Sequence, residues 1–468
     1  MKKTNIGMIG LGVMGSNLAR NMASKGFSVS CYDWNEALRK NFSGKYKEGF
    51  VHAGNLKEFV ESIERPRKIM MMIKAGSPVD SVLNELFPLL NPGDVVIDGG
   101  NSQWEDTERR IQLCDEKGLL FVGCGVSGGE EGALNGPAMM PGGSTGAWEL
   151  IKPVFKAISA RTPEGEACVD WIGPGGSGHF VKMVHNGIEY GDMQMICETY
   201  QVMRDGLNMS NVAMSEVFGR WNKGKLDSYL IAITRDILAY ETAEGEQPVD
   251  MILDAAGQKG TGKWTLIAAL DAGEPLPLVG EAVFARCLSA LKSDRVEASK
   301  WLAGPKTGID VDQEDFVAEV KQALYGSKVV SYAQGFQLIQ QVSKERGWNL
   351  DLARLAQLWR GGCIIRSSLL RTIKEAFLRN PGLSNLLLDP LVAESVSEAQ
   401  VPWRDAVARM TRAGIPSPAM GSALSYYDGF RTARGSANLL QAQRDYFGAH
   451  TYERIDKPRG EFFHTQWN

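Results

Sequence analysis

Lys182, His185, Asn186, Glu189 and Tyr190 recur at i, i+3, i+4, i+7 and i+8 within the stretch 178–190. At about 100° per residue they share an arc of roughly 140°, the stripe that a helix normally gives to core contacts. Here the stripe is polar, and Phe180, Val181, Met183, Val184 and Ile188 flank it. An ammonium, an imidazole, an amide, a carboxylate and a phenol on one face, bordered by hydrocarbon, line a polar cleft or leave the helix frustrated. Lys182 and Glu189 stand two turns apart, roughly 10 Å by helix rise. A small substrate fits between them, with a proton acceptor at one end and a donor at the other. The competing reading is a solvated helix face carrying incidental charge.

A glycine cluster, Gly173-Pro-Gly-Gly-Ser-Gly178, precedes this helix and reads as a hinge. Before it the pattern is α/β. Residues 4–9 form a short apolar strand that runs into Gly10-Leu-Gly12-Val13-Met14-Gly15 and then a helix pattern through Leu18, Ala19 and Met22. In such a motif the first glycine permits the tight turn, the second lets a pyrophosphate approach the backbone, and the third lets helix and strand pack closely. The helix start adds unpaired N–H groups and a positive dipole end. The spacing predicts an α/β, Rossmann-type dinucleotide-binding domain over 1–177.

The second strand, expected at 27–32, ends at Asp33. A carboxylate about 20 residues past the glycines accepts hydrogen bonds from the adenosine ribose of NAD and repels the 2′-phosphate of NADP. Trp34 offers a face on which adenine can stack; a turn residue and a packing residue are the plain readings of this pair. Further strands are expected at 68–73, 94–98 and 119–123 and from 137, with helices at 78–90 and 106–117. The loops after these strands carry Lys74, Asn101-Ser102 and Ser127-Gly128-Gly129. In an open parallel sheet they crowd one crevice. Asn101 and Ser127 are placed on substrate there, although turn capping uses the same residue types.

The bulk numbers exclude several classes. At 468 residues the chain needs two or three domains. A net charge of -4 with no basic stripe argues against nucleic acid as the main partner. Seven scattered cysteines without a C-x-x-C suit free thiols in a reducing cytoplasm, and five histidines without ligand spacing leave no metal site. Met1-Lys2-Lys3 before an apolar run imitates a secretion signal, but Thr4 and Asn5 break it. No run reaches the ~18 apolar residues of a membrane span.

From 178 to 433 the pattern is a large all-helical domain, and it contains a repeat. Val217-Phe-Gly-Arg-Trp221-Asn-Lys-Gly224 resembles Leu355-Ala-Gln-Leu-Trp359-Arg-Gly-Gly362, and the stretch ending at Tyr190-Gly echoes that ending at Tyr325-Gly. Matching the tyrosines puts Val317 at the Lys182 position and Leu324 at the Glu189 position. One packing slot thus holds hydrocarbon in one copy and acid and base in the other, which weakens the solvated-face reading. Lys259-Gly-Thr261-Gly-Lys263 is a loop suited to an anion but lacks Walker spacing. Arg286 sits between apolar Phe284 and Leu288, and marks either an anion site or a buried ion pair. Residues 434–468 form a tail dense in arginine, histidine and aromatics, an arm suited to reaching a neighbour.

Taken together, Gly10 to Gly15, Asp98-Gly-Gly-Asn101, Gly125-Val-Ser127-Gly-Gly-Glu-Glu-Gly132, Gly178-His to Tyr190-Gly-Asp-Met, Lys259 to Trp264 and the tail closely resemble the 6-phosphogluconate dehydrogenase family over essentially the whole chain. The resemblance implies oxidative decarboxylation of 6-phospho-D-gluconate to D-ribulose 5-phosphate and CO2 without a metal. It implies Lys182 as the base on the C3 hydroxyl and Glu189 as the acid that protonates C1 of the enediol. It further implies a substrate set of Asn101, Ser127, Gly128, Gly129, His185 and Asn186. The phosphate would lie on Tyr190, Lys259, Thr261 and Arg286, with Arg444 and His450 from the exchanged tail of a homodimer partner. The cofactor set is Gly10, Gly12, Val13, Met14, Gly15, Asp33, Trp34, Asn35, Lys74 and Asn101. One departure matters: NADP-using members place Asn-Arg-Ser/Thr after the second strand, where this chain has Asp33-Trp34-Asn35. NAD, or dual use, is therefore expected over the family's usual NADP. A dehydrogenase of an unphosphorylated 3-hydroxy acid and a catalytically silent dinucleotide sensor are the alternatives.

Overall fold

The computed structural model describes residues 3–467; Met1 and Lys2, where the signal-like run starts, and Asn468 at the end of the tail lie outside it. Seven strands form one sheet: β1 (Ile6–Ile9), β2 (Val29–Tyr32), β3 (Phe50–His52), β4 (Lys68–Met71), β5 (Val95–Asp98), β6 (Leu120–Ser127) and β7 (Ala138–Gly143). Their order is β3-β2-β1-β4-β5-β6-β7. The first six run parallel, and β7 pairs antiparallel with β6. Successive side chains of β1 enter different layers: Ile6 and Met8 join Leu18, Met22 and Phe155 on one side, and Ile9 joins Phe59, Val79 and Leu83 on the other. Burial on both faces is why these strands are continuous apolar runs. The strand order reverses beside β1, so the crevice between the ends of β1 and β4 is where a doubly wound sheet binds its ligand.

Several expected bounds shift. The strand expected at 119–123 continues to Ser127, because the antiparallel β7 extends its pairing. The helix expected at 78–90 stops at Leu86 and tightens into a single turn over Phe87–Leu89. Pro88 has no N–H to give to the carbonyl four residues back. The edge strand β3 is three residues long, too short to show a period.

The glycine cluster runs directly into helix Ser177–Gln201, which takes in Ser177 and Gly178 and is the centre of the helical region. This helix packs on β6 and β7, on helices Thr261–Asp271 and Pro277–Ala290, and on the long helix Gln313–Arg346. The repeat appears as two matching sequences of elements. A long helix (Ser177–Gln201 or Gln313–Arg346) leads to a short one (Asn211–Trp221 or Leu352–Leu358), a buried tryptophan (Trp221 or Trp359), and a further helix (Tyr229–Ala239 or Leu369–Arg379). The two copies meet in an antiparallel bridge between Ser228 and Ser367. Val317 and Leu324 are buried in the second copy, in core that the first copy leaves polar. The tail folds as helix Ala437–Gly448 followed by a hairpin of Tyr452–Glu453 and Phe462–Phe463.

Candidate active site

The glycine turn after β1 has the three environments that its spacing predicts. A Cβ on Gly10 would lie 2.4 Å from the Met72 carbonyl oxygen, and one on Gly15 would lie 1.9 Å from the Gly10 oxygen. A Cβ on Gly12 would meet nothing within 4 Å, so the middle glycine faces open space at the start of helix Val13–Ser24. This closed-open-closed pattern fits a dinucleotide pyrophosphate laid against Gly12.

Asp33 follows β2, and its Oδ2 accepts from the Leu11 N–H at 2.7 Å, tying this carboxylate to the glycine turn. Trp34 stays 41% exposed, edge-on to Tyr32, and its Nε1 donates to Glu85. The Asn35 side chain caps helix Glu36–Lys45 by accepting from the Ala37 N–H. One residue here escaped the sequence reading. Arg39 donates to the carbonyls of Asp33 and Trp34 and lies over the Tyr32 ring, which puts a cation under the strand end. Lys74 and Asn101 are exposed on the loops after β4 and β5.

The polar stripe of helix Ser177–Gln201 comes together as a network. Lys182 Nζ donates to Asn186 Oδ1 at 2.5 Å and lies 3.3 Å from His185 Nδ1. His185 Nδ1 in turn lies 3.9 Å from Glu189 Oε2, so the imidazole stands between ammonium and carboxylate. Its other nitrogen, Nε2, is 3.4 Å from Ser127 Oγ at the end of β6, and its ring meets the edge of Trp359. Asn186 Nδ2 donates to Thr261 Oγ1 at the start of helix Thr261–Asp271. Lys182 is 6% exposed and the Glu189 side chain 20%. Burial lowers the pKa of Lys182, against the pull of the Glu189 carboxylate. Burial raises that of Glu189, against the nearby cations Lys182, Arg286 and Lys259. Burial and the Lys182 charge hold His185 well below its usual value, so the imidazole is neutral. A base pushed toward the free amine and an acid pushed toward the neutral carboxyl are the two protonation states that a proton relay needs.

Beyond Glu189 the stripe turns cationic. The Arg286 guanidinium lies 3.6 Å over the Tyr190 ring and donates to the Gly257 carbonyl and Met193 Sδ. The buried ion pair weighed for Arg286 does not form: Phe284 and Leu288 beside it are exposed, and its charge rests on an aromatic face. Lys259 is exposed in the loop before Thr261. Arg444 and His450 keep their described contacts within the tail of this chain. Among the described residues no group of side chains could hold a metal ion, and no helix is long and apolar enough to cross a membrane.

The sequence reading also missed the supports behind the stripe. Gly125 in β6 backs Lys182: a Cβ there would lie 2.3 Å from Lys182 Cβ. Cys363 is buried beside the amine, its thiol pushed up to about 12 by that burial, so it packs as a neutral group. The Gly362 carbonyl accepts from Ala138 N and lies 2.6 Å from where a Gly128 Cβ would be, which holds the loop after β6 against the second repeat. The Trp359-Arg-Gly-Gly362 half of the repeat was the available signal. Replacing Gly125 by alanine must displace the Lys182 stem. The expected outcome is a fall in kcat of about 10²-fold, the loss associated with a misplacement near 1 Å, together with a loss of about 1–3 kcal/mol of stability from overpacking; steady-state kinetics and a melting curve check it.

Comparison with known proteins decides the family. The model for the NAD binding domain of 6-phosphogluconate dehydrogenase matches residues 5–173, and that for the 6-phosphogluconate dehydrogenase C-terminal domain matches residues 178–467. The chain belongs to the 6-phosphogluconate dehydrogenase family. The decarboxylating 6-phosphogluconate dehydrogenase of Drosophila simulans is 53% identical over 99% of this chain and 96% of its own length. That of Homo sapiens is 52% identical over 100% of this chain and 97% of its own. The 6-phosphogluconate dehydrogenase of Plasmodium falciparum, solved apo, with its cofactor NADP+ and with its substrate 6-phosphogluconate, superposes with a TM-score of 0.95 at 42% identity, covering 99% of this chain and 100% of that one. Membership makes the protein an oxidoreductase that uses a nicotinamide dinucleotide.

Proposed function

We propose that this chain oxidatively decarboxylates 6-phospho-D-gluconate to D-ribulose 5-phosphate and CO2, with Lys182 and Glu189 as its base and acid. The observation that carries this is the buried Lys182–His185–Glu189 array, with a cation set at one end and the dinucleotide turn's sheet at the other. Neutral Lys182 takes the C3 hydroxyl proton, and the bound nicotinamide supplies the hydride acceptor. Protonated Lys182 then polarises the C3 ketone while the carboxylate leaves as CO2. Lys182 gives its proton to the ketone oxygen as CO2 leaves, and the resulting enediol becomes the ketose when Glu189 gives its proton to C1 while Lys182 takes the C2 hydroxyl proton back. Asn101, Ser127, Gly128, Gly129, His185 and Asn186 hold the sugar acid. Tyr190, Lys259, Thr261 and Arg286 hold the phosphate.

Arg444 and His450 complete that corner from the tail of a homodimer partner. Leu439, Leu440 and Phe447 are 63%, 56% and 72% exposed on the tail helix, an apolar face that a partner would cover. Three units serve these roles: 1–177 for the cofactor, 178–433 for substrate and dimerisation, and 434–468 as the arm. The seven cysteines are all free, which supports a cytoplasmic enzyme. An absorbance assay with 6-phosphogluconate and with gluconate tests the substrate: equal kcat/KM for the two would sink the phosphate reading.

Asp33 and Trp34 support NAD as the preferred cofactor, or dual use. A like-charge clash with a 2′-phosphate costs about 1–3 kcal/mol, roughly tenfold to a hundredfold in affinity. Arg39 softens this, but its guanidinium is already spent on two carbonyls and the Tyr32 ring. The expected kcat/KM ratio favours NAD by about tenfold or is near even, at the low end of that range. A strong NADP preference in the wild type contradicts it.

A further inference from the structure

The arm carries its own positioning device, centred on two residues of helix Ala437–Gly448 that the reaction scheme does not use. Asp445 is fully inaccessible to solvent although its neighbours are exposed. Its Oδ1 accepts from the Thr451 N–H at 3.0 Å and from His464 Nδ1 at 2.9 Å. Its Oδ2 accepts from the Thr465 N–H at 3.0 Å and from Trp467 Nε1 at 2.8 Å. One carboxylate therefore ties the end of the helix, the next turn and the last strand together. Such a carboxylate, with four donors converging on it, has no room for a substitute that itself donates.

Gln441 lies one helical turn before Asp445. Its Nε2 donates to the Thr451 carbonyl at 2.6 Å, and its Oε1 accepts from Arg444 Nη1 at 3.2 Å. Thr451 is thus gripped at both its N–H and its carbonyl, and the Arg444 guanidinium is fastened to the same grip.

The gripped turn is strained. Ala449 has φ 48° and Thr451 φ 62°, on either side of His450. A β-branched residue in this region is an outlier that persists only where its surroundings impose it. Gly448 completes the arrangement: a Cβ there would lie 2.7 Å from His450 Nε2, so the imidazole folds back over a residue that has no side chain. The strain, the glycine and the double grip all converge on the placement of His450 relative to Arg444.

We infer that Asp445 and Gln441 are positioning residues that preset Arg444 and His450 as one anion clamp before the substrate arrives. Because the clamp is built within the arm, it needs no ordering of its own when phosphate binds, and that saving appears as affinity. This inference rests on the proposed reading of the tail as an arm that reaches the partner's phosphate corner.

The test uses the full-length enzyme in four variants: Asp445→Asn, Gln441→Leu, Thr451→Gly and, as a control on the underlying reading, Arg444→Ala. Asp445→Asn and Gln441→Leu are each expected to raise KM for 6-phosphogluconate about tenfold, with kcat within about twofold and the dimer intact by sedimentation. Thr451→Gly keeps the backbone conformation without strain and should leave KM within about twofold. In the double variant Gln441→Leu/Arg444→Ala, the KM effects should fall well short of the product of the single ones, because Gln441 holds the Arg444 guanidinium directly. If Arg444→Ala itself leaves KM unchanged, the reading of the tail is wrong. If Arg444→Ala raises KM while Asp445→Asn and Gln441→Leu do not, or if Asp445→Asn simply dissociates the dimer, the clamp inference alone is overturned.

Discussion

Replacing Lys182 by methionine is expected to lower kcat for 6-phosphogluconate by about 10³–10⁴-fold, the upper part of what a positioned general base supplies, or roughly 4–5 kcal/mol of transition-state stabilisation. Methionine fills the same volume without the amine. In the proposed mechanism it loses the acceptor for the C3 proton and the cation that polarises the ketone. The fold should not suffer, and this separates a chemical role from a structural one. Burial depresses the Lys182 pKa, so the unfolded chain holds this proton more tightly than the folded chain does. A depressed lysine contributes stability only above its unfolded pKa, so at neutral pH keeping this amine buried is a cost. The methionine variant should therefore melt at the wild-type temperature or above it. A variant that loses both activity and melting temperature would assign Lys182 to the core.

Glu189→Gln is expected to lower kcat by about 10²–10³-fold, because glutamine keeps the shape and cannot deliver a proton. The pH dependence separates its effect from that of Lys182. In the proposed mechanism activity needs neutral Lys182 and should rise with pH through the depressed amine pKa. It needs protonated Glu189, so it falls as pH passes the raised carboxyl pKa. The wild-type kcat/KM profile is thus bell-shaped, and its two limbs belong to the coupled pair rather than to either residue alone. In Glu189→Gln the descending limb disappears. The ascending limb moves to lower pH, because the carboxylate that had supported the ammonium is gone. An unchanged bell in this variant would remove Glu189 from the relay.

Most of the site was legible because its signals are local. A G-x-G-x-x-G turn and a stripe at helical spacing each fix which residues share a face, and the structure places Lys182, His185, Asn186 and Glu189 in one contiguous network, with the Tyr190 ring next along the helix under Arg286. The repeat was legible for the same reason, since hydrocarbon at Val317 and Leu324 marks the slot that acid and base occupy in the other copy. What escaped depends on contacts between distant parts of the chain. Gly125 is one glycine among many until the Lys182 stem is seen against it. Arg39 reads as a surface helix residue until the strand end folds over it. The order inside the tail was invisible because its organiser is a lone aspartate with no periodic pattern around it. For Arg286 the two chemical readings were both reasonable, and only the position of the Tyr190 ring separates them.

In the proposed mechanism a half-buried carboxyl at position 189 delivers the last proton to one face of the enediol. That step is tested most directly by running the reaction in D2O and reading the stereochemistry of deuterium at C1 of ribulose 5-phosphate by NMR. Deuterium is expected in a single C1 position for the wild type and in a mixture of both positions for the slow turnover of Glu189→Gln, whose enediol is protonated by solvent. Full retention of stereochemistry in Glu189→Gln would contradict it.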